Sequence, residues 1–134
     1  MRALWEKYFN EAHGVIFVVD ACSAERLAEA RGALDGVARH PELDAHAPVV
    51  VLANKQDRPG ALSADEVAAA LGLVGDAGAL RPPRSTQPLR ILPTSALTLD
   101  GIQEAMQWVV YEAKRLARSQ PIAPPGVAPI RSAV

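Results

Sequence analysis

Cysteine is almost absent from this sequence. Cys22 stands alone, so no internal disulfide forms and no thiolate metal set exists at a recognised spacing. On its own it reads as a small apolar residue at the end of a strand, compatible with a reducing compartment. An excess of one charge is lacking too. The formal net charge is -1 and the pI is near 6.3, which gives no electrostatic case for nucleic acid. The longest apolar run, residues 14–19, is far too short to span a bilayer. The opening residues Met1-Arg2-Ala3-Leu4-Trp5-Glu6-Lys7 carry charge at once, unlike a signal peptide, and lack the Gly at position 2 that myristoylation needs. The chain therefore reads as soluble. No internal repeat is visible.

Hydrophobic residues, by contrast, make up 49% of the 134 residues. That suffices for a real core and fits one domain. Three short β-type runs punctuate the chain: Val15-Ile16-Phe17-Val18-Val19 ending at Asp20, Val49-Val50-Val51-Leu52-Ala53 ending at Asn54, and a weaker Leu89-Arg90-Ile91-Leu92 stopped by Pro93. Continuous apolarity is what strands covered on both faces require, so the runs predict a parallel sheet.

Helical patterns lie between the strands. Leu27, Ala30, Leu34, Val37 and Ala38 keep a 3.6-residue period over about 24–39. Ser63-Ala64-Asp65-Glu66 matches a capping box, and the helix it opens should end at Gly72. Ile102, Ala105, Met106, Val109, Val110, Ala113, Leu116 and Ala117 form one stripe on a last long helix. Residues 4–12 also read as helical. Helices and strands in alternation give right-handed βαβ units, hence an α/β three-layer sandwich with a mostly parallel sheet. Residues 75–88 carry Gly, Pro and Arg without periodicity and read as a loop or insertion. The stretch 119–134, with Pro121, Pro124, Pro125 and Pro129, reads as an extended or disordered tail.

Ligands of open parallel sheets bind at the carboxyl ends of the strands. That rule selects Asp20, Asn54-Lys55-Gln56-Asp57 and Thr94-Ser95-Ala96. A guanine base offers a ring N–H beside an exocyclic amine, a carbonyl oxygen and two flat faces. One carboxylate, Asp57, can accept from both donors at once. Adenine lacks that pair and would leave the carboxylate desolvated and unpartnered. Lys55 can lay its methylene stem along the base plane. Asn54 can touch the base and tie neighbouring loops together, and a backbone N–H near Ala96 can donate to the base carbonyl.

Asn54-Lys55-Gln56-Asp57 matches the Asn-Lys-x-Asp motif of regulatory GTPases, and Thr94-Ser95-Ala96 resembles their second base-contacting motif. Residues 2–9 resemble the end of switch II in the ADP-ribosylation factor family. Residues 14–20, Glu25-Arg26-Leu27 and residues 100–108 follow that family closely. The chain is similar to Arf-like small GTPases, nearest their Arf-related branch, over roughly residues 2–118 with the loop 75–88 left out. The resemblance implies a truncated small-GTPase (P-loop NTPase) fold over residues 1–118. It assigns nucleotide binding to Asn54, Lys55, Asp57, Ser95 and Ala96, with GTP or GDP held through the guanine moiety only. It also implies a role in vesicle and Golgi membrane traffic from a cytoplasmic, Golgi-associated location. Effectors or exchange factors would be the protein partners, and membrane contact would be indirect. Mg²⁺ belongs to the full-length family, but no ligands for it occur in this chain.

No Gly-x-x-x-x-Gly-Lys-Ser/Thr stretch occurs anywhere in the sequence. That loop would cradle the phosphates and help hold the metal. No Asp-x-Gly-Gly-Gln precedes Arg2. The expectation is a chain with no catalytic residues that does not hydrolyse GTP. The resemblance further implies that the family's first strand is missing beside 15–19, leaving an open edge. A short non-catalytic protein that binds GTPase regulators or effectors is the alternative.

The remaining polar and aromatic residues read more plainly. Asp20 either pairs with Arg26 across the strand-to-helix turn or caps the helix. His13, His40 and His46 read as solvated or capping groups. Trp108 reads as core, whereas Trp5 divides evenly between core and an effector-facing surface.

Overall fold

Alternate residues of each strand point to opposite faces of the sheet, and in this chain both faces meet helices. The computed structural model describes residues 14–119 and 131–133. Within them, strands β1 (Val15–Asp20), β2 (Val49–Asn54), β3 (Leu89–Pro93) and β4 (Arg131–Ala133) form one parallel sheet in the order β3-β2-β1-β4. Helix α1 (Ala24–Ala38) crosses from β1 to β2, α2 (Ala64–Ala70) from β2 towards β3, and α3 (Ile102–Ser119) follows β3. The expected α/β three-layer architecture is what forms. The helix read over 4–12, with Trp5 and His13, lies outside the described residues.

Two cores sandwich the sheet. Val15, Phe17, Val19, Val49 and Val51 face α1 and α2, where Leu27, Leu34 and Val67 close over them. Ile16, Val50, Leu52 and Leu92 face Ala105 and Val109 of α3. Each such large side chain contributes about 1.5–3 kcal/mol on burial. Trp108 is half-buried and packs against this second core, as its core reading required. The stripe on α3 is narrower than the sequence pattern suggests. Met106 and Val110 are 39% and 38% exposed, because the buried face runs through Ala105, Val109 and Ala113 instead.

Local signals set the helix ends. Ser63 and Glu66 exchange side-chain-to-backbone hydrogen bonds of 3.2 and 3.1 Å, a complete capping box. At the other end Gly72 adopts φ 71. The Leu73 N–H reaches Ala68 O at 2.9 Å and the Gly72 N–H reaches Ala69 O at 3.1 Å, the paired bonds of a Schellman ending. Ser23 caps α1, accepting from the Arg26 N–H at 3.3 Å.

Two regions differ from the sequence reading. Residues 131–133 of the tail pair with Val15–Phe17, so the edge expected to stay open is covered over half its length. Strand-edge N–H and C=O groups beside an apolar core need partners, and Arg131-Ser132-Ala133, lying past the last proline, has free amides to offer. The loop 75–88 is aperiodic as read, yet it is tied down. It contains a single 3₁₀ turn (Asp76–Gly78) and a Val74–Leu80 bridge. From it Arg84 donates to the carbonyls of Arg39 (2.9 Å), His40 (3.2 Å) and Leu43 (3.3 Å), and buried Gln87 donates to Ala38 O at 2.9 Å. Helix α1 carries no basic residue in its last turn. Arg84 therefore supplies from outside the cation that exposed helix-end carbonyls favour.

Candidate functional site

In-register pairing brings Asp20 level with Asn54 and Ala53 level with Pro93, so three strand ends deliver their polar residues to one edge of the sheet. The chain leaves β2 sharply. Lys55 sits at φ 71, a left-handed conformation that a side chain bears only under support from its surroundings. Gln56 is part of that support. Its N–H donates to Thr94 O at 3.1 Å, and its Nε2 donates to Ala53 O at 3.2 Å and Leu62 O at 2.8 Å.

Asn54 Oδ1 accepts from the Ala96 N–H at 3.0 Å and from Thr94 Oγ1 at 3.3 Å, tying the β2 loop to the β3 loop. That is the loop-joining role read for it. The Ala96 N–H, read as a donor to a base carbonyl, is thus engaged by Asn54. Thr94 and Ser95 are buried. The Ser95 hydroxyl donates to Asp57 Oδ1 at 2.7 Å and accepts from the Thr98 N–H at 3.2 Å. Ser95 therefore aims the carboxylate. Asp57 is exposed and has no other partner among the described residues.

Asp20 belongs to the same cluster. Its Oδ2 accepts from Lys55 Nζ at 2.9 Å and its Oδ1 from the Cys22 N–H at 2.9 Å. The Lys55 hydrogen bond, then the Cys22 amide, hold the Asp20 carboxyl below its ordinary value of 3.8; partial burial opposes them, and the charges of Lys55 and Arg26 add to the lowering. Both sequence readings of Asp20 are corrected here. Its side-chain partner is Lys55 rather than Arg26, and the helix cap is Ser23. Cys22, read as a small apolar residue at the end of a strand, is exposed and lies in the turn just past β1.

The structure thus brings Asn54, Lys55, Asp57, Ser95 and Ala96 together. Sequence reasoning missed Gln56, the variable position of Asn-Lys-x-Asp, and the Asp20–Lys55 bridge. The only signal for either was placement at a strand's carboxyl end. Among the described residues no group of three His, Cys, Asp or Glu side chains is placed to hold a metal ion. No helix of the described residues is long and apolar enough to cross a membrane.

The model of the ADP-ribosylation factor family matches residues 1–113. The chain belongs to the ADP-ribosylation factor family. Among relatives of this Arf-family chain, "ADP-ribosylation factor-like protein 3" of Saccharomyces cerevisiae is 31% identical over 121 residues, 90% of this chain and 58% of that protein. "ADP-ribosylation factor-related protein 1" of Rattus norvegicus is 37% identical over 114 residues, 82% of this chain and 51% of the relative. The chain thus spans a little over half the length of these two relatives. The solved Arl6 BBS3 small GTPase of Trypanosoma brucei, with the nucleotide analogue GppNp bound, superposes with a TM-score of 0.72 at 28% identity. It covers 85% of this chain, and 66% of that structure is matched.

Proposed function

We propose that this chain binds guanine nucleotide through the base, as the base-reading portion of an Arf-like GTP-binding protein. One observation carries the reading most directly: an exposed Asp57 carboxylate, aimed by a buried Ser95 hydroxyl at 2.7 Å. Two hydrogen bonds from guanine to an ionised acceptor contribute about 1.5–3 kcal/mol each. Adenine offers no matching donor pair. Lys55, held at the rim by Asp20, lines the ledge with its stem.

No Gly-x-x-x-x-Gly-Lys-Ser/Thr stretch lies in these 134 residues to hold phosphates, so the chain by itself is proposed not to turn GTP over. Base contacts alone support affinity on the order of millimolar. The family resemblance supports a place in vesicle traffic around the Golgi, with effectors or exchange factors as partners, and a cytoplasmic location.

Calorimetric titration of the full chain with GDP and ADP tests the central claim. GDP should bind, ADP should bind at least tenfold more weakly, and Asp57→Ala should erase the difference. Equal binding of both nucleotides by the unaltered chain would sink the reading.

A further inference from the structure

A second concave site lies at the opposite edge of the sheet from Asp57. Helices α1 and α2 run back against the strands, so the second half of α1 and the end of α2 sit towards the amino ends of the strands. Between them and the loop at Pro82-Pro83 opens a cleft of about 430 Å³, within the size range of small-molecule sites.

Its lining is basic. Arg31, Arg39 and Arg81 contribute guanidinium groups against a single carboxylate, Asp35. That carboxylate is taken, since Arg39 Nε lies 2.7 Å from Asp35 Oδ1. Neither Arg31 nor Arg81 has a side-chain ion pair or hydrogen bond among the described residues. Both are exposed, and with Asp35 taken by Arg39 they leave the cleft with a local positive excess.

The backbone is shaped to hold them there. A Cβ on Gly72 would stand 2.7 Å from Arg31 Nη2 and 2.8 Å from its Cζ and Nε, so the guanidinium rests directly on this glycine and any side chain there would push it to another position. Arg81 is anchored by its N–H to Leu73 O at 2.7 Å, and its stem rests on Gly75, where a Cβ would meet Arg81 Cβ at 3.5 Å. Exposed Ala28 and half-buried Pro82 and Pro83 complete the wall with apolar surface.

We infer that this cleft binds an organic phosphate, its phosphoryl oxygens held by Arg31 and Arg81 and its carbon body by Ala28 and the two prolines. Planar guanidinium forks match phosphoryl oxygens two at a time. None of the cleft's lining residues belongs to the guanine ledge, so the two sites are independent.

Titration of the full chain with phenyl phosphate, followed by amide chemical shifts, tests the inference. Saturable shifts confined to the α1 end, the Gly72 turn and the Arg81 amide are expected. Arg31→Gln with Arg81→Gln should raise Kd at least tenfold, and Gly72→Ala should weaken binding without removing a charge. Arg115→Gln, on the other sheet face, and Asp57→Ala should leave it unchanged. Sedimentation with phosphatidylcholine vesicles, with and without phosphatidylinositol 4-phosphate, separates a lipid headgroup from a free phosphate ester. Sedimentation only with the phosphatidylinositol 4-phosphate vesicles, lost in the double arginine variant, assigns the occupant to a lipid headgroup, and no sedimentation assigns it to a soluble phosphate ester. The inference fails if phenyl phosphate produces no saturable shift, or if the double arginine variant binds as tightly as the unaltered chain.

Discussion

Lys55 Nζ lies 2.9 Å from Oδ2 of Asp20, so the carboxylate ending β1 holds the lysine of the base-reading turn that follows β2. The bridge spans 35 positions of sequence and depends on the two strands ending level. It fixes a side chain whose backbone is already in the left-handed region, so the turn is set by both ends of one residue.

That pairing gives the fold an acid dependence. The folded Asp20 carboxyl is held below its ordinary value, chiefly by Lys55. A group so lowered stabilises the fold fully above its unfolded pKa, and the contribution fades as pH falls through the folded value. Thermal unfolding from neutral pH down through about pH 4 and below should show Asp20→Asn less stable at neutrality. The gap to the unaltered chain should close in acid. A constant gap at every pH would contradict the assignment.

Base choice should follow Asp57. Xanthine carries a carbonyl where guanine carries the exocyclic amine, so Asp57→Asn, which can donate there, should bind xanthosine diphosphate more tightly than GDP. The unaltered chain should show the reverse order. Ser95→Ala leaves the carboxylate in place but unaimed. It should weaken GDP by a few-fold, corresponding to about 1 kcal/mol, as read by competitive titration.

Gly101 should accept no side chain. Its φ is 76, and an added Cβ would lie 2.2 Å from Pro93 O, a backbone atom that cannot step aside. Gly101→Ala should destabilise the chain by about 2 kcal/mol or more, seen as a lowered denaturant midpoint with an unchanged m-value. An unshifted midpoint would show that the turn before α3 adapts freely.

Arg84 should matter well beyond its loop. Arg84→Ala removes three hydrogen bonds to the carbonyls of Arg39, His40 and Leu43. A loss of about 1.5–3 kcal/mol is expected. Hydrogen exchange should quicken around residues 38–43, while the amides of β1 and β2 change only with the global stability. Lys at position 84 should rescue in part, because its ammonium lacks the planar fork.

Much of this fold is legible in the sequence because its signals are local. Continuous apolar runs mark β1 to β3, Ser63 with Glu66 marks a helix start, and Gly72 marks its end. Such patterns act over a few positions, the range in which backbone propensity and capping operate. The strand-end rule likewise places Asn54, Lys55, Asp57, Ser95 and Ala96 at one edge before any coordinates are known.

Which of these residues touch each other was decided only by tertiary structure. Asp20 chose Lys55 over the nearby Arg26, and Ser95 became the hydroxyl that aims Asp57. Arg84 reached back more than 40 positions to the end of α1, and residues 131–133 took up the edge of β1. Each of these partnerships joins residues far apart along the chain. Their geometry comes from strand register and from unsatisfied backbone groups seeking partners, and neither leaves a periodic trace in sequence.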